Sequence, residues 1–336
     1  MSQTSSEVDT LPAAPTPKPE RADARQASLR LLSWGVPILV IAVIVVLALT
    51  TRGFLTADNI KAVFRSAAYT GIVAVAMTPM TVSGNFVSLA TQQTAVAGGM
   101  FLVLLLNTGF PVILAVIVLV AAVVATGVVQ ALLVAAGLNP IITTLAAASI
   151  FLGATNTFSG SKPVALAGPV LGWGNSSVIG IPIEVLVFGV FTVVVNIGFT
   201  RTTLGRATVL TGSNRRTAAI SGLSFRRVTL AAFAVFSLGI AVVAVLYPAG
   251  YRSVTPDTLN TLTFDVIGAL LVGGVAITGG RGTPWRSAVG AVFIATTTNV
   301  LLLHGLPPGK VALFTGAIIT AAVVLLVFVE RRRSLA

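Results

Sequence analysis

The chain has 336 residues, of which 55% are apolar and only 9% charged, with a net charge of +12, no cysteine and one histidine. A soluble domain carries about 25% charged residues, and recurrent uncharged stretches of about 20 residues suffice to cross a bilayer core, so a water-soluble globule is excluded. Disulfides, thiolate metal sites and histidine clusters are excluded as well, and because the apolar runs are continuous rather than alternating, the spans are helices and not barrel strands.

Residues 1–30 mix Ser, Pro, Ala and both charges. They read as a disordered cytoplasmic tail, since the polar lead is too long for a secretion signal and no small-residue cleavage site follows the first apolar run. Residues 31–330 form the membrane domain, and 331–336 a basic cytoplasmic end. Ten apolar segments follow one another at 31–50, 61–82, 86–106, 110–136, 140–159, 181–200, 228–248, 258–278, 286–304 and 310–329. The expected fold is thus an all-α polytopic bundle of eight to ten spans. The third and eighth segments are interrupted by Gly and Ser and are expected to be broken or re-entrant.

With the N-terminus inside, ten crossings return the C-terminus inside and place 15 of the 21 basic residues on the inner face. Arg52, Lys61, Arg65, Lys162, Arg252 and Lys310 remain outside. The bias satisfies the positive-inside rule. It also accounts for the net charge, so no nucleic-acid partner is called for. Among the acids, Asp265 lies deep in a span, while Glu184 is expected at the outer interface. His304 is read as an outer-loop residue rather than a proton relay.

One cytoplasmic loop, 201–227, is polar and arginine-rich. A turn is expected at Gly212-Ser213-Asn214. Asn214 is then a helix N-cap and Gly222 a C-terminal glycine, with RRTAAIS between them as a short helix outside the bilayer. Two uses fit such a loop: arginines anchoring it at anionic headgroups, or a helix too short to be stable alone that docks on a partner.

The loop resembles the coupling segment of ribose-type (monosaccharide) ABC transporter permeases. The residues that carry the likeness are Gly205-Arg206, Gly212, Asn214 and Ser221-Gly222, with Arg215 and Arg216 standing where the family has acidic or neutral residues. A second stretch, NPIITTLAAASIFLG from Asn139, matches at Pro140, Ile142, Thr144, Leu145, Ser149 and Gly153. A third, FDVIGALLVGGVAITGGRG from Phe264, matches at Asp265, Gly273, Gly274, Gly279, Gly280 and Gly282, with Val275 and Ala276 replacing Thr-Ser. The resemblance spans about residues 35–329. It implies the permease subunit of a binding-protein-dependent importer in the bacterial cytoplasmic membrane. It further implies a second, identical permease subunit, a cytoplasmic ABC ATPase that holds ATP and Mg, and an extracytoplasmic solute-binding protein. Gly205, Arg206, Gly212, Asn214, Arg215, Arg216, Ser221 and Gly222 would carry ATPase coupling, and Pro140, Thr144, Asp265, Gly273, Gly274, Gly279 and Gly280 structural roles. Consistent with this, the chain has no GxxxxGK[ST] phosphate loop, and no cofactor is expected on it.

The family's Gly-Ile-Asp-Leu-Ser-Val-Gly signature corresponds to GNFVSLA, with Phe86 in the acidic position and Ala90 in that of the last Gly. Polar residues at membrane depth usually face an interior or a cavity, and here they are Ser83, Asn85, Ser88, Gln92, Gln93, Asn156 and Asn299. With Phe86 they form the expected substrate path, whose amides suit a neutral polyhydroxyl solute. Interhelical hydrogen bonding is the plainer use for any one of them. Ribose, other monosaccharides, nucleosides and a furanose derivative all fit. An ion-coupled secondary transporter or channel is the alternative reading. A membrane enzyme fits least, since no nucleophile–base set or paired carboxylates occur.

Overall fold

A computed structural model describes residues 41–167, 176–178 and 180–334. The tail at 1–30 and the first half of the first apolar segment lie outside the described residues. Among the described residues the chain is an all-helical membrane protein with only four two-residue strands, and six of its helices are long and apolar enough to cross a bilayer.

In chain order the helices are α1 (Ile41–Thr50), α2 (Ala57–Met80), α3 (Thr91–Asn107), α4 (Val112–Ala135), α5 (Pro140–Ser159), α6 (Ile183–Arg201), α7 (Thr203–Ser213), α8 (Arg215–Ile220), α9 (Phe225–Tyr251), α10 (Leu262–Val272), α11 (Pro284–Leu303) and α12 (Pro308–Ser334). Each apolar segment of the sequence holds one of these helices. α5 has the bounds read from the sequence, because Asn139 caps it by accepting from the Ile141 N–H and Pro140 occupies its first turn.

α2 and α9 are the axis of the bundle. Two-thirds of each (67%) is buried within the protein, against 22% for α4, α5 and α6. The outer helices therefore present apolar side chains such as Ile142, Ile150 and Val190 outwards, as lipid-facing helices do. Small residues let the axis pack closely: Ala67, Ala68 and Ala74 are fully buried in α2. On α4, a Cβ at Gly127 would lie 1.7 Å from the Ser237 Oγ of α9.

Lys61 and Arg65, expected outside, lie in the first three turns of α2, which starts at Ala57. Arg65 faces α6, with its Nε 3.2 Å from a Glu184 carboxylate oxygen. Glu184, in the first turn of α6, is 1% exposed, so protein and not solvent surrounds its carboxylate. The orientation of the two groups makes the contact Coulombic rather than a directed hydrogen bond. Nearby, the chain's three tyrosines, Tyr69, Tyr247 and Tyr251, form one aromatic cluster, with ring centroids 4.6–6.3 Å apart.

The third and eighth segments are the interrupted ones. Residues 86–90 of the third are non-helical before α3 begins. In the eighth only 11 residues, Leu262–Val272, form α10. Two short ladders close the end of the bundle opposite α7 and α8: β1 (Val164–Ala165) pairs with β4 (Ser253–Val254), and β2 (Ser177–Val178) with β3 (Ile181–Pro182).

Candidate functional site

The arginine-rich loop is more ordered than a single turn and helix. Thr202 caps α7 by accepting from the Gly205 N–H, and Gly205 sits so close to the Phe199 carbonyl that a Cβ would clash at 1.7 Å. Gly212 and Ser213 form the last turn of α7 and not a free turn, because Asn214 alone breaks the helix, with ψ 107°. The Asn214 side chain then accepts from the N–H groups of Arg216 and Thr217 and starts α8. Ser221 and Gly222 (φ +77°) end it. Of α8 only Ala218 is buried; Ile220, a large apolar side chain, is 89% exposed.

The Arg215 guanidinium lies 3.6 Å from the centre of the Phe225 ring at the start of α9, tying α8 to the bundle. Partial burial moves its pKa downward. An arginine starts so high that it stays cationic at neutral pH. Arg206 and Arg216 are exposed.

α7 runs beneath the end of α2. There Pro79 removes a helix donor and Gly84 adopts φ +81°, so α2 ends in a π turn at Thr81–Asn85. The loop after α10 folds onto the same spot. The Gly280 N–H donates to the Val82 carbonyl at 2.8 Å, while the loop closes on itself through Ala276 N–H to Arg281 O and Gly279 N–H to Ala276 O. A Cβ on Gly212 would lie 1.8 Å from the Val82 oxygen and 2.7 Å from the Gly280 nitrogen. One on Gly279 would lie 3.0 Å from both the Gly212 oxygen and the Gly84 Cα. Glycines from three separate motifs thus meet backbone to backbone at one junction. Gly273 belongs to the neighbouring turn, where a Cβ would meet the Arg286 carbonyl at 2.5 Å, and Gly274 takes φ +73°.

Beyond the junction lies the break. Ser83 is 1% exposed and Asn85 and Ser88 not at all. Asn85 Nδ2 donates to Ser83 Oγ (2.8 Å) and to Thr229 Oγ1 of α9 (3.1 Å). Ser88 Oγ accepts from the Ala90 N–H. Phe86 takes φ +60°, rare for a side chain of its size, and packs on the core. The Leu89 N–H donates to Thr144 Oγ1 of α5 at 3.2 Å, which gives that motif threonine a role the sequence did not disclose. The Gln92 N–H donates to Thr263 Oγ1 (3.2 Å) and its Nε2 to the Thr258 carbonyl (3.4 Å), so the break before α3 meets the break before α10. Two amide acceptors along this stretch, Asn85 Oδ1 and Gln93 Oε1, are buried with no hydrogen-bond partner. Buried polar atoms are normally paired.

Two path residues make their polar contacts elsewhere. Asn299 and Asn59 exchange reciprocal amide bonds of 3.0 and 2.9 Å between α11 and α2, and Asn156 accepts from Ser161 at the far end of α5. Asp265 sits in the first turn of α10 and accepts from Thr261 Oγ1 at 2.7 Å. His304 ends α11, its Nδ1 2.8 Å from the Val300 carbonyl oxygen. Sequence reasoning missed the Arg65–Glu184 pair, Thr258, Thr263 and the Val82 carbonyl. Spacing alone gives no signal for contacts between distant segments.

Comparison with known proteins shows the family. The chain is 26% identical over 300 residues to the ribose import permease protein RbsC of Bacillus subtilis (strain 168), covering 87% of this chain and 90% of that one. It is 28% identical over 303 residues to the "Probable ABC transporter permease protein YphD" of Escherichia coli (strain K12), covering 89% and 91%. To the autoinducer 2 import system permease protein LsrD of Escherichia coli (strain K12) it is 26% identical over 262 residues, covering 76% and 79%. No solved structure matches it. The family described as "Branched-chain amino acid transport system / permease component" matches residues 59–327, and the chain belongs to that family: it is a multi-pass, non-catalytic permease component of an ABC transporter.

Proposed function

We propose that the chain forms the translocation path of an ABC importer for a sugar or a related hydroxylated solute, driven through α8 by separate ATPase subunits. The observation that carries the coupling is α8 itself. It is a six-residue helix, capped at Asn214, pinned to α9 by Arg215 and exposing Ile220 almost completely. A helix this short is stable only as part of a supporting surface, and an exposed large apolar side chain among arginines suits a protein groove better than water. The ATPase would hold the ATP and Mg.

The solute reading is supported by two relatives, the ribose and autoinducer 2 import permeases, and by the unpaired acceptors Asn85 Oδ1 and Gln93 Oε1 beside the break. Such acceptors suit hydroxyl donors. The polar partners of Asn85 and Gln92 are the uncharged Ser83, Thr229, Thr258 and Thr263. On this reading α7, α8, both termini and the glycine junction lie on the cytoplasmic side of the bacterial inner membrane, which the inner excess of basic residues supports. A second copy of the chain completes the path and an extracytoplasmic binding protein delivers the solute. The 201–227 loop couples, and the remainder of 31–330 conducts.

The test is purification from native membranes in gentle detergent, followed by uptake of radiolabelled D-ribose into vesicles. An ATPase should co-purify, be lost with Ile220→Asp, and be required for uptake. Absence of an ATPase, with uptake driven by an ion gradient in ATP-depleted vesicles, would establish an ion-coupled carrier instead. The short α10 with Asp265 in its first turn is the feature such a carrier would use.

A further inference from the structure

We infer that the junction of Gly212, Val82 and Gly280 is the transmission element of the transporter, and that its glycines are positioning residues for coupling. This rests on the proposed ATPase docking at α8. It adds where the motion goes once α8 moves.

The argument is geometric. α7 and α8 are separated by Asn214 alone, so displacement of α8 reaches the last turn of α7, where Gly212 lies. Gly212 touches the Val82 carbonyl with no room for even a methyl group, and the same oxygen accepts the Gly280 N–H at 2.8 Å. Gly280, at φ +77°, would place a Cβ 2.5 Å from Ser213 Oγ. Three segments therefore share one backbone joint with no side chain between them. A side-chain contact can slide or change rotamer as its helix moves. A joint of backbone atoms transfers displacement directly, because its atoms lack that freedom.

The joint sits on the π turn, a rare element frequent at functional sites. A few residues on, the chain is hydrogen-bonded to α5 at Thr144 and to the entrance of α10 at Thr258 and Thr263. Movement of α7 thereby reaches both through Val82, Leu89 and Gln92, and it passes the unpaired Asn85 and Gln93 acceptors on the way.

Two measurements test this on the intact complex. In the first, Gly212→Ala and Gly280→Ala are compared with Gly109→Ala. Gly109, between α3 and α4, also has positive φ, at +82°, but a Cβ there meets nothing. Gly212→Ala and Gly280→Ala should retain the ATPase and basal hydrolysis while D-ribose uptake falls about tenfold, within the range by which single residues modulate coupling between sites. Gly109→Ala should transport normally. Uptake near the unsubstituted level in Gly212→Ala would overturn the inference, as would loss of uptake in step with loss of bound ATPase.

The second measurement needs no variant and is unaffected by misfolding. Amide exchange is followed with and without a non-hydrolysable ATP analogue. Peptides covering 81–92, 203–213 and 276–283 should change protection together. Change confined to 203–222 would sink the inference. If no ATPase binds the unsubstituted chain, it is the coupling proposal that has failed, and the two failures are distinguishable.

Discussion

At the scale of single residues, the Arg65–Glu184 pair is the most consequential charge contact among the described residues. Glu184 is 1% exposed, while Arg65 keeps 34% of its side-chain surface and can reach polar surroundings on its own. Removing the carboxylate leaves an unmatched cation at the α2–α6 seam. Losing one partner of a fully buried pair costs about 3–5 kcal/mol. The exposure of Arg65 lowers this, and we expect Glu184→Ala to cost about 1–3 kcal/mol, read as a lower thermal midpoint in detergent. The double variant Arg65→Gln, Glu184→Gln should recover most of the loss, since neither charge is then left alone. Equal destabilisation in the single and double variants would mean that the residues act by packing and not by charge.

At the scale of elements, α8 depends on its cap. Asn214→Ala removes two side-chain acceptor contacts to backbone N–H groups and should cost the helix about 1 kcal/mol, enough to fray six residues. The expected result is weaker retention of the ATPase and lower solute-stimulated hydrolysis, with the thermal midpoint of the membrane helices unmoved. Asn214→Asp, which caps as well, should restore both; failure to do so would place the role of Asn214 outside capping. This cap was legible in the sequence, as was α5 with its Asn-Pro start, because capping is local chemistry written in consecutive residues. The interruptions of the third and eighth segments were legible for the same reason. The unbroken run of helix through Gly212 was not. Glycine there suggests a turn, and only the approach of Val82 from a distant segment explains why a glycine occupies a helix. Glu184 shows the same limit: its partner is more than a hundred residues away in sequence, so nothing nearby announces its burial. In the site, Asn85 and Gln92 were readable as polar residues at depth, but their partners Thr229, Thr258 and Thr263 were not.

At the scale of the whole molecule, the proposed orientation rests on the charge bias and the alternation of spans, and the absence of cysteine from the sequence makes it directly testable. Single thiols introduced by Ser221→Cys, after α8, and Lys162→Cys, after α5, are both at exposed positions. A membrane-impermeant maleimide should label the second in intact cells and the first only after the membrane is opened. Labelling of both from the same side would show that an odd number of crossings does not lie between them, and the assignment of the junction to the cytoplasmic face would fall.

The meeting of Gly212, Val82 and Gly280 has a consequence for how such a protein can diversify. The joint is made of main-chain atoms and asks only that certain positions lack a Cβ. It is indifferent to which side chains stand a few positions further on. On the proposed coupling, Phe86, Asn85 and Gln93 would be exchangeable for others, and the cargo changed, without refitting the part that answers to the motor.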